Sequence, residues 1–345
     1  MKKFEDKSIL VTGACGTIGA ELTKQLLKGG IYAPRELIGI DNNESALFFL
    51  DQRYLDDPRA HFYVADIRDR DALIELMKGV DIVFHAAALK HVILCEKSPD
   101  QAVQTNIAGV QNIIAAANAN HVEKVIFTSS DKAVNPTNVM GTSKLMGERL
   151  MTAANSNKRH GGPVFASTRF GNVLGSNGSV IPIFHEQIAK GGPVTLTSQC
   201  MTRFIMSIQE SVRLVLDSAE MAKGGEVFVT KMPTVRIADL AAAMIEELAP
   251  RYGKTPDQIA VTEIGVKPGE KLYEELMNHE ETRRTIELES YFSVLPAFRG
   301  VVFDVDYSYP NTVCCEVSKP YVSNEEVPLT KDQIKVFLRD NNLLG

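Results

Sequence analysis

The sequence predicts an α/β fold in which a Rossmann-type, doubly wound parallel sheet is joined to a smaller, discontinuous domain. Three observations predict it. Short apolar runs typical of buried strands alternate with helical patterns through the first half of the chain. A glycine-rich turn follows the first of these runs and opens the first helix. After Phe170 the alternation stops, and glycine, serine and asparagine accumulate.

The alternating half contains the predicted parallel strands, which in chain order are 7–12, 36–41, 61–65, 81–85, 124–129 and 164–169. Apolar residues at helical spacing predict helices at 17–27, 45–54, 102–118 and 144–155. Beyond the break, the pattern predicts a loop at 171–182, a returning strand at 226–230 and an amphipathic helix at 237–248. We therefore place the sheet domain at 1–171 and about 204–232, and the second domain at about 172–203 and 233–345.

The composition argues against several classes of function. The 345 residues are 44% hydrophobic and 23% charged, and the formal net charge of −6 disfavours nucleic acid as a partner. The five cysteines form no CxxC pair, so neither a disulfide framework nor a metal site is expected. The polar N-terminus and the lack of a long apolar run predict neither a leader nor a membrane span. We therefore expect a cytoplasmic protein.

Gly13, Gly16 and Gly19 form a GxxGxxG run between the first strand and the first helix. Glycine permits a tight turn and a close approach of the backbone to a pyrophosphate, which the helix N-terminus at Thr17 and Ile18 would bind through its N–H groups. The run therefore predicts a dinucleotide site. The alternative is a glycine-rich turn without a ligand, which fits the strand–turn–helix context less well.

Acidic residues follow the second and third strands. Asp41 ends the second strand, where a carboxylate can accept hydrogen bonds from the adenosine ribose and repel a 2′-phosphate, so NAD is favoured over NADP. The alternative role is a cap on the following helix, which Asn42 or Asn43 could also provide. Asp66 and Ile67 follow the third strand and could receive the adenine, although a simple turn explains Asp66 equally well.

Small and polar residues follow the fourth and fifth strands, at the carboxyl edge where open α/β sheets bind ligands. The small residues either let a cofactor approach the backbone or pack against a buried strand end, and the sequence does not decide between these two roles. The polar ones supply an oxygen donor, an acid and a potential base, although such a group by itself is more often a solvated turn. These residues are Ala86, Ala87, Ser130, Asp131, Lys132 and Lys144, which opens the next helix.

These motifs resemble the extended short-chain dehydrogenases/reductases, and more closely the nucleotide-sugar 4,6-dehydratases of bacterial capsule, O-antigen and protein-glycosylation pathways. The resemblance covers most of the chain, from Gly13 to about Leu276. It rests on the glycine run, on an M-x-x-x-K motif, and on the segments 85–91, 129–134, 169–176, 201–204 and 268–272. It implies NAD as the cofactor, a nucleotide sugar as the ligand and a homo-oligomer. The sheet domain would bind NAD, and the second domain the nucleotide sugar.

Met140 stands where the larger family places a tyrosine, and a thioether cannot take a proton from a sugar hydroxyl. Either the protein is a catalytically silent binder, or other residues move the protons. The resemblance favours the second explanation, because a branch of the dehydratases has the same methionine with the same Ser-Asp-Lys and is active.

The resemblance also implies a chemistry in which NAD oxidises C4 of the sugar, water leaves across C5 and C6, and the hydride returns to C6. Asp131 would be the acid at O6 and Lys132 the base at C5, with the pKa of Lys132 lowered by burial and by Lys144. Lys144 would hold the nicotinamide ribose, and Ser130 would bond the C4 oxygen. The acceptor of the C4 hydroxyl proton stays open between Ser130 with Lys144 and a bound water.

Candidate substrate ligands come mainly from the second half of the chain. By resemblance, most of them contact the diphosphate, the sugar, the nucleotide ribose or the base. Lys90 has no defined role, and a surface ion pair is the alternative for Arg203. Many relatives have arginine at position 267, where lysine keeps the charge but loses the bidentate fork. The set is Lys90, Asn172, Ser179, Val180, Thr195, Arg203, Lys267 and Glu270.

The expected function is therefore NAD-dependent 4,6-dehydration of a UDP-N-acetylhexosamine, UDP-GlcNAc above all, to a UDP-4-keto-6-deoxy sugar. A nucleotide-sugar 4-epimerase is the alternative on the same fold, although epimerisation needs no acid at O6. A non-catalytic NAD-binding regulator is a third alternative, motivated by Met140. The sequence predicts neither the configuration at C5 nor the size of the oligomer.

Overall fold

The structure, a computed structural model, describes residues 2–158, 161–176, 178–266, 268–298 and 305–345. The strands in chain order are β1 (Ser8–Thr12), β2 (Glu36–Asp41), β3 (Ala60–Val64), β4 (Ile82–His85), β5 (Lys124–Thr128), β6 (Val164–Arg169), β7 (Asn172–Val173), β8 (Val194–Leu196), β9 (Thr202–Met206), β10 (Val227–Thr230), β11 (Thr234–Arg236), β12 (Val261–Glu263), β13 (Glu275–Met277), β14 (Thr285–Leu288), β15 (Tyr291–Val294), β16 (Thr312–Cys314) and β17 (Tyr321–Val322).

The α-helices in chain order are α1 (Thr17–Leu27), α2 (Glu44–Arg53), α3 (Arg70–Leu76), α4 (Val92–Lys97), α5 (Pro99–Ala102), α6 (Gly109–Ala119), α7 (Val139–Ser156), α8 (Val180–Lys190), α9 (Ile208–Met221), α10 (Ile237–Leu248), α11 (His279–Thr282) and α12 (Lys331–Asp340). A π-helical turn, Val103–Ala108, joins α5 to α6, so the predicted helix at 102–118 is one continuous helical segment with a wider central turn.

The first half of the chain folds largely as predicted, and the six predicted strands agree with β1 to β6 to within one residue at each end. One helix boundary was wrong. Helix α7 begins at Val139 rather than at Lys144, because the Asn138 side chain caps it by accepting a hydrogen bond from the Gly141 N–H at 2.8 Å. Lys144 therefore lies inside the helix.

Helices of the second half were harder to predict. The loop expected at 171–182 contains the short strand β7 and gives way to α8 at Val180, so the loop prediction was wrong at both ends. Helix α9 was missed, although Ser207 and Glu210 form a capping box at its start. Its apolar face packs under the sheet, with Val212 and Val215 fully buried.

Ten strands form the main sheet, in the order β16-β14-β15-β10-β6-β5-β4-β1-β2-β3. The strands from β3 to β10 in this order run parallel, and the chain reverses its direction of travel across the sheet between β1 and β4. Ligand sites of open α/β sheets lie at such a reversal, outside the carboxyl ends of the strands. Ile9, Leu10 and Val11 of β1 are fully buried, as expected for a strand covered on both faces.

Three antiparallel strands extend this sheet on the side away from β3. Strand β15 pairs with β10, β14 with β15, and β16 with β14. These strands come from the region 285–314, which the sequence-based division assigned to the second domain. The division into two domains stays a prediction.

A second apolar core lies between α8, α10 and α12, where Phe184, Leu240 and Leu338 are almost fully buried. Three small sheets accompany it: β7 with β9 and β11, β8 with β12, and β13 with β17. The small sheets also position Arg203, which lies in β9, and the residues that directly precede β13.

Within the described ranges, no helix combines the length and the apolar character that a membrane crossing requires. The same ranges contain no group of three or more His, Cys, Asp and Glu side chains arranged to hold a metal ion.

Candidate active site

The glycine turn after β1 packs tightly against the segment that follows β4. Gly13 has a φ of +68°, and a Cβ on it would lie 2.8 Å from the backbone of Ala87. A Cβ on Gly19 would lie 2.0 Å from the Gly13 carbonyl oxygen, so glycine is required there too. Gly16 precedes α1 and provides no side-chain cap. The turn thus places a helix N-terminus without a side-chain cap at the carboxyl end of β1, beside Ala86 and Ala87.

Asp41 lies beside this turn. Its carboxylate accepts hydrogen bonds from the Cys15 N–H at 3.0 Å and from the Asn43 N–H at 2.9 Å. Helix α2 is capped by Asn43, whose side chain accepts from the Ala46 N–H at 3.1 Å. The cap considered for Asp41 is therefore supplied by Asn43, and Asp41 faces the crevice side of the glycine turn.

Asp66 forms an ion pair with its neighbour Arg68, with 2.6 Å between Oδ2 and Nη2. Hydrogen bonding by the Arg68 side chain lowers the pKa of Asp66 to about 2. Ile67 is buried, and its Cδ1 would lie 2.7 Å from a Cβ on Gly109. The pair holds the turn after β3, and a contact between Asp66 and adenine stays a prediction.

Ser130, Asp131 and Lys132 lie at the carboxyl end of β5, as predicted. A short 3₁₀ turn, Asp131–Ala133, follows the strand and is capped by the Ser130 side chain. Ser130 Oγ donates to Asp131 Oδ1 at 2.7 Å. Asp131 is 1% exposed, and its Oδ2 atom has no hydrogen-bond partner within the described ranges. A hydroxyl and a carboxylate are thus joined at the edge of the sheet.

Lys132 Nζ lies between two carboxylates, 3.1 Å from Asp131 Oδ1 and 3.2 Å from Glu274 Oε1. Desolvation lowers the pKa of Lys132, but the charges of Asp131 and Glu274 outweigh it, so the net pKa is raised. The expectation of a lowered pKa was therefore wrong. The sequence did not reveal that Glu274 faces this lysine.

Lys144 is 6% exposed, and its Nζ donates to the Thr128 carbonyl oxygen at 2.9 Å. The same ammonium lies 4.8 Å from the centre of the Phe127 ring. Desolvation lowers the pKa of Lys144 to about 8, although Glu148 acts in the opposite direction. Of the two lysines, Lys144 is therefore the one with the lowered pKa.

Met140 is 4% exposed and packs in a small apolar cluster with Cys95 and Ala102. Its position in the first turn of α7 is filled by packing, so it contributes no proton-transfer group. Position 140 therefore has no polar side chain that could replace the tyrosine.

Asn106 was missed at the sequence level. It is 2% exposed, accepts from the Leu89 N–H at 2.8 Å, and donates to the Leu89 carbonyl at 2.9 Å and to Ser143 Oγ at 2.9 Å. It therefore ties the segment after β4 to helix α7. A polar residue within an apolar helical pattern was the available signal.

Arg203 is 7% exposed, so the surface ion pair considered for it does not apply. Its guanidinium donates to the carbonyls of Thr202 at 2.8 Å and Lys271 at 2.7 Å, and its Nε lies 3.6 Å from Glu274 Oε1. Glu270 Oε1 lies 3.9 Å from Arg203 Nη2. Ser130, Asp131, Lys132, Glu274, Arg203 and Glu270 thus form one chain of contacts between the sheet edge and the second core.

Two other predicted ligands bond to residues outside this chain of contacts. Asn172 donates to the Phe204 carbonyl at 3.3 Å, and Thr195 Oγ1 accepts from the Gln187 side chain at 2.8 Å. Ser179 precedes α8, and its buried Oγ has no partner among the described residues. The remaining predicted ligands are Val180, the first residue of α8, Lys90, which is exposed after β4, and Lys267, which lies outside the described residues.

A model of the polysaccharide biosynthesis protein family matches residues 9–296. A Methanocaldococcus jannaschii protein described as an uncharacterized membrane protein is 49% identical over 341 residues, 99% of this chain and 98% of that one. A UDP-N-acetylglucosamine 4,6-dehydratase (inverting) of Campylobacter jejuni is 37% identical over 306 residues, 88% of this chain and 87% of that one. A UDP-glucose 4-epimerase of Rickettsia bellii is 39% identical over 342 residues, 97% of this chain and 96% of that one.

The X-ray structure of Pen from Bacillus thuringiensis matches with a TM-score of 0.91 and 38% identity, over 99% of this chain and 100% of that one. A dTDP-glucose 4,6-dehydratase from Streptomyces venezuelae, solved with NAD bound, matches with a TM-score of 0.66 at 22% identity, over 76% of this chain and 86% of that one. At that identity the likeness concerns the fold. The predicted Rossmann-type parallel sheet is confirmed.

Proposed function

Because the chain belongs to the polysaccharide biosynthesis protein family, whose relatives include nucleotide-sugar dehydratases and epimerases, we propose that it is an NAD-dependent 4,6-dehydratase of a UDP-N-acetylhexosamine, UDP-GlcNAc above all. The observation that carries this proposal is the buried carboxylate of Asp131 beside the amine of Lys132 at the sheet edge. Dehydration across C5 and C6 needs one acid and one base on neighbouring carbons, and this pair supplies both.

The residues around the crevice fit NAD. The turn at Gly13 lets the backbone pack closely against the segment after β4, next to the N-terminus of α1, whose free N–H groups would bind the pyrophosphate. Asp41, beside the glycine turn, would accept hydrogen bonds from the adenosine ribose and disfavour a 2′-phosphate. Lys144, at the end of β5, would bind the nicotinamide ribose. When bound, NAD supplies an acceptor for the C4 hydride and returns that hydride to C6.

The side chains of the catalytic segment move the protons. Ser130 accepts the C4 hydroxyl proton while it passes its own to Asp131, along the 2.7 Å hydrogen bond that joins them. Asp131 then donates this proton to O6, and the 6-hydroxyl leaves as water. Lys132 removes the C5 proton and returns a proton to C5. The proton that leaves with the water is the one that Ser130 passed to Asp131, and the C4 hydroxyl proton replaces it on Ser130. All three side chains therefore finish as they began, and no tyrosine is needed.

The test uses UDP-GlcNAc labelled with deuterium at C4. We expect mass spectrometry to detect the loss of one water and NMR to locate the label at C6. Asp131→Asn, which keeps the shape of the side chain but not the acid, should block the loss of water. If none of the UDP-, GDP-, CDP- or TDP-hexoses gives a dehydrated product, the proposal is wrong.

A 4-epimerase is the second candidate, because a relative that matches 97% of this chain is named a UDP-glucose 4-epimerase. In the same assay an epimerase would leave the mass unchanged and return the label to C4. The Asp131–Lys132 pair counts against it, since epimerisation leaves the 6-hydroxyl in place. NAD binding without turnover of any sugar would instead favour a regulator.

A further inference from the structure

Glu274 is fixed against Lys132 by the second part of the chain. It directly precedes β13, is 2% exposed, and its N–H donates to Ser323 Oγ at 3.0 Å. The Ser323 N–H in turn donates to the Glu274 carbonyl at 2.9 Å. Ser323 Oγ also lies 2.9 Å from Thr202 Oγ1, next to Arg203. The carboxylate therefore has a defined place 3.2 Å from the lysine amine.

The carboxylates that face Lys132 each keep one oxygen unused. Asp131 Oδ2 and Glu274 Oε2 are buried and have no hydrogen-bond partner among the described residues. A buried polar atom without a partner destabilises the fold, and in native proteins it often marks a functional group. Arg203 Nε lies 3.6 Å from the same Glu274 oxygen, Oε1, that Lys132 contacts, so two cations face this carboxylate.

The proton path proposed above requires Lys132 as a neutral amine before C5 is deprotonated. The two facing carboxylates favour the ammonium form instead. In the proposed path Asp131 takes up the proton that Ser130 passes to it when the C4 hydroxyl is deprotonated, so it cannot also accept the ammonium proton of Lys132. In the described part of the chain, the other carboxylate within reach is that of Glu274, with Oε1 3.2 Å from Nζ.

We propose that Glu274 is a positioning residue that holds Lys132 beside Asp131 and takes a proton from its ammonium when the nucleotide sugar binds. This inference rests on the proposed function. One N–H bond of Lys132 breaks and an O–H bond forms on Glu274, so an ion pair becomes a neutral amine and a neutral carboxylic acid. The lone pair of the amine then removes the C5 proton, and Glu274 returns its proton after the product leaves.

Arg203 makes the proton transfer from Lys132 to Glu274 depend on substrate binding. Its positive charge stabilises the anionic form of Glu274, from 3.6 Å. A substrate diphosphate near Arg203 would offset that charge, and water would be excluded at the same time. Both changes favour the neutral pair over the ion pair. Lys132 would therefore become a base only in the loaded site.

The test compares Glu274→Gln with Glu275→Gln in the full-length enzyme. Glutamine keeps the size of the side chain but cannot take the proton, and Glu275 contacts Lys271 and Asn135 rather than Lys132. In Glu274→Gln we expect kcat to fall about 100-fold while KM changes less than about threefold. Glu275→Gln should stay within about threefold of the parent in both constants.

The pH profile separates this role from simple structural damage. In Glu274→Gln, Lys132 must release its proton to solvent, so kcat should rise about tenfold per pH unit through the alkaline range. Structural damage would lower kcat at every pH alike. Glu274→Asp keeps a proton acceptor and should restore most of the parental profile.

A second measurement needs no substrate. Lysine ε-¹³C NMR follows the protonation of Lys132, with the resonance assigned by its loss in Lys132→Arg. In the parent the resonance should titrate above the ordinary lysine range. Desolvation lowers the pKa of Lys132, but the charges of Asp131 and Glu274 raise it by more. The titration should move to lower pH in Glu274→Gln and stay in place in Glu275→Gln.

These outcomes keep the two proposals apart. If no nucleotide sugar is dehydrated but the Lys132 titration moves in Glu274→Gln, the proposed function fails and the control of Lys132 by Glu274 stands. If the enzyme works and Glu274→Gln leaves both kcat and its pH profile unchanged, the inference is overturned. An unmoved Lys132 titration overturns it whether or not the enzyme works.

Discussion

Two cations in this protein each lie between two buried carboxylates, Arg169 between Glu148 and Glu281, and Lys132 between Asp131 and Glu274. Arg169 donates through all three of its nitrogens at 2.7–3.1 Å, and every oxygen of its two carboxylates is bonded. In the Lys132 cluster, one oxygen of each carboxylate has no partner in the described part of the chain.

Under the proposed function, the difference separates a structural cluster from a reactive one. A guanidinium stays protonated at any working pH, and its five donors match two carboxylates in a fixed geometry. An amine can lose a proton, and its three donors leave carboxylate oxygens free to exchange one. The same order of charges would therefore stabilise the fold near β6 and supply exchangeable protons near β5.

The largest expected effect comes from Lys132→Arg, which gives the second cluster the chemistry of the first. The guanidinium keeps both carboxylates neutralised but cannot act as a base, so turnover should fall at least about 1000-fold. The labelled-sugar assay measures the rate, and thermal unfolding should show a midpoint close to that of the parent. Retained turnover would mean that Lys132 is not the base.

The converse change, Arg169→Lys, replaces a guanidinium that bonds two carboxylates at once with an ammonium group. Lysine keeps the charge but leaves buried carboxylate oxygens unbonded, so the free energy of unfolding should fall by about 3 kcal/mol. Urea denaturation measures this loss. Below the unfolding transition, kcat should stay near the parental value, and a selective loss of kcat would contradict the separation of the two clusters.

A smaller, pH-dependent effect is expected for Lys144, whose pKa is about 8 in the folded protein and near 10.5 when unfolded. Between these values the unfolded chain binds more protons, so stability should rise with pH through this window, by no more than about 3 kcal/mol. Lys144→Met removes this titration. Urea denaturation from pH 7 to 10.5 without cofactor should therefore give a flatter pH dependence for the variant than for the parent.

The smallest effect is expected for Met140→Tyr, which restores the residue that the larger family has. The site is a packed apolar cluster with Cys95 and Ala102, so the added volume should cost about 1–2 kcal/mol of unfolding free energy. Since Ser130 and Asp131 already form the proton path, kcat should not increase. A clear gain in kcat would show that the path through Ser130 is incomplete.

The sequence predicted the parallel half of the fold well, because each of its elements is visible in a local apolar pattern. It also placed Ser130, Asp131 and Lys132 correctly at a strand end, since strand ends follow from the same pattern. It failed where the controlling contact is distant in sequence. Glu274 lies far from Lys132 along the chain, and for this reason the direction of the Lys132 pKa shift was wrong.

Helix boundaries and the antiparallel strands show the same limit. The start of α7 depends on one capping side chain, Asn138, which a pattern of apolar residues does not reveal. Strand β15 joins the main sheet by pairing with β10, β14 pairs with β15 and β16 with β14, and no local pattern encodes these pairings. Packing, capping and pairing across the chain therefore decided what the sequence alone left open.

The two hydrogen bonds between Ser323 and Glu274 can form only after both residues have been synthesised. Asp131 and Lys132 are synthesised well before Glu274, and Ser323 follows Glu274 by 49 residues. A nascent chain can thus build the first parallel strands early, while the amine still faces one carboxylate. Under the proposed function, the cluster that moves protons is therefore complete only after Glu274 and Ser323 have been added, so a shorter polypeptide lacks the reactive site.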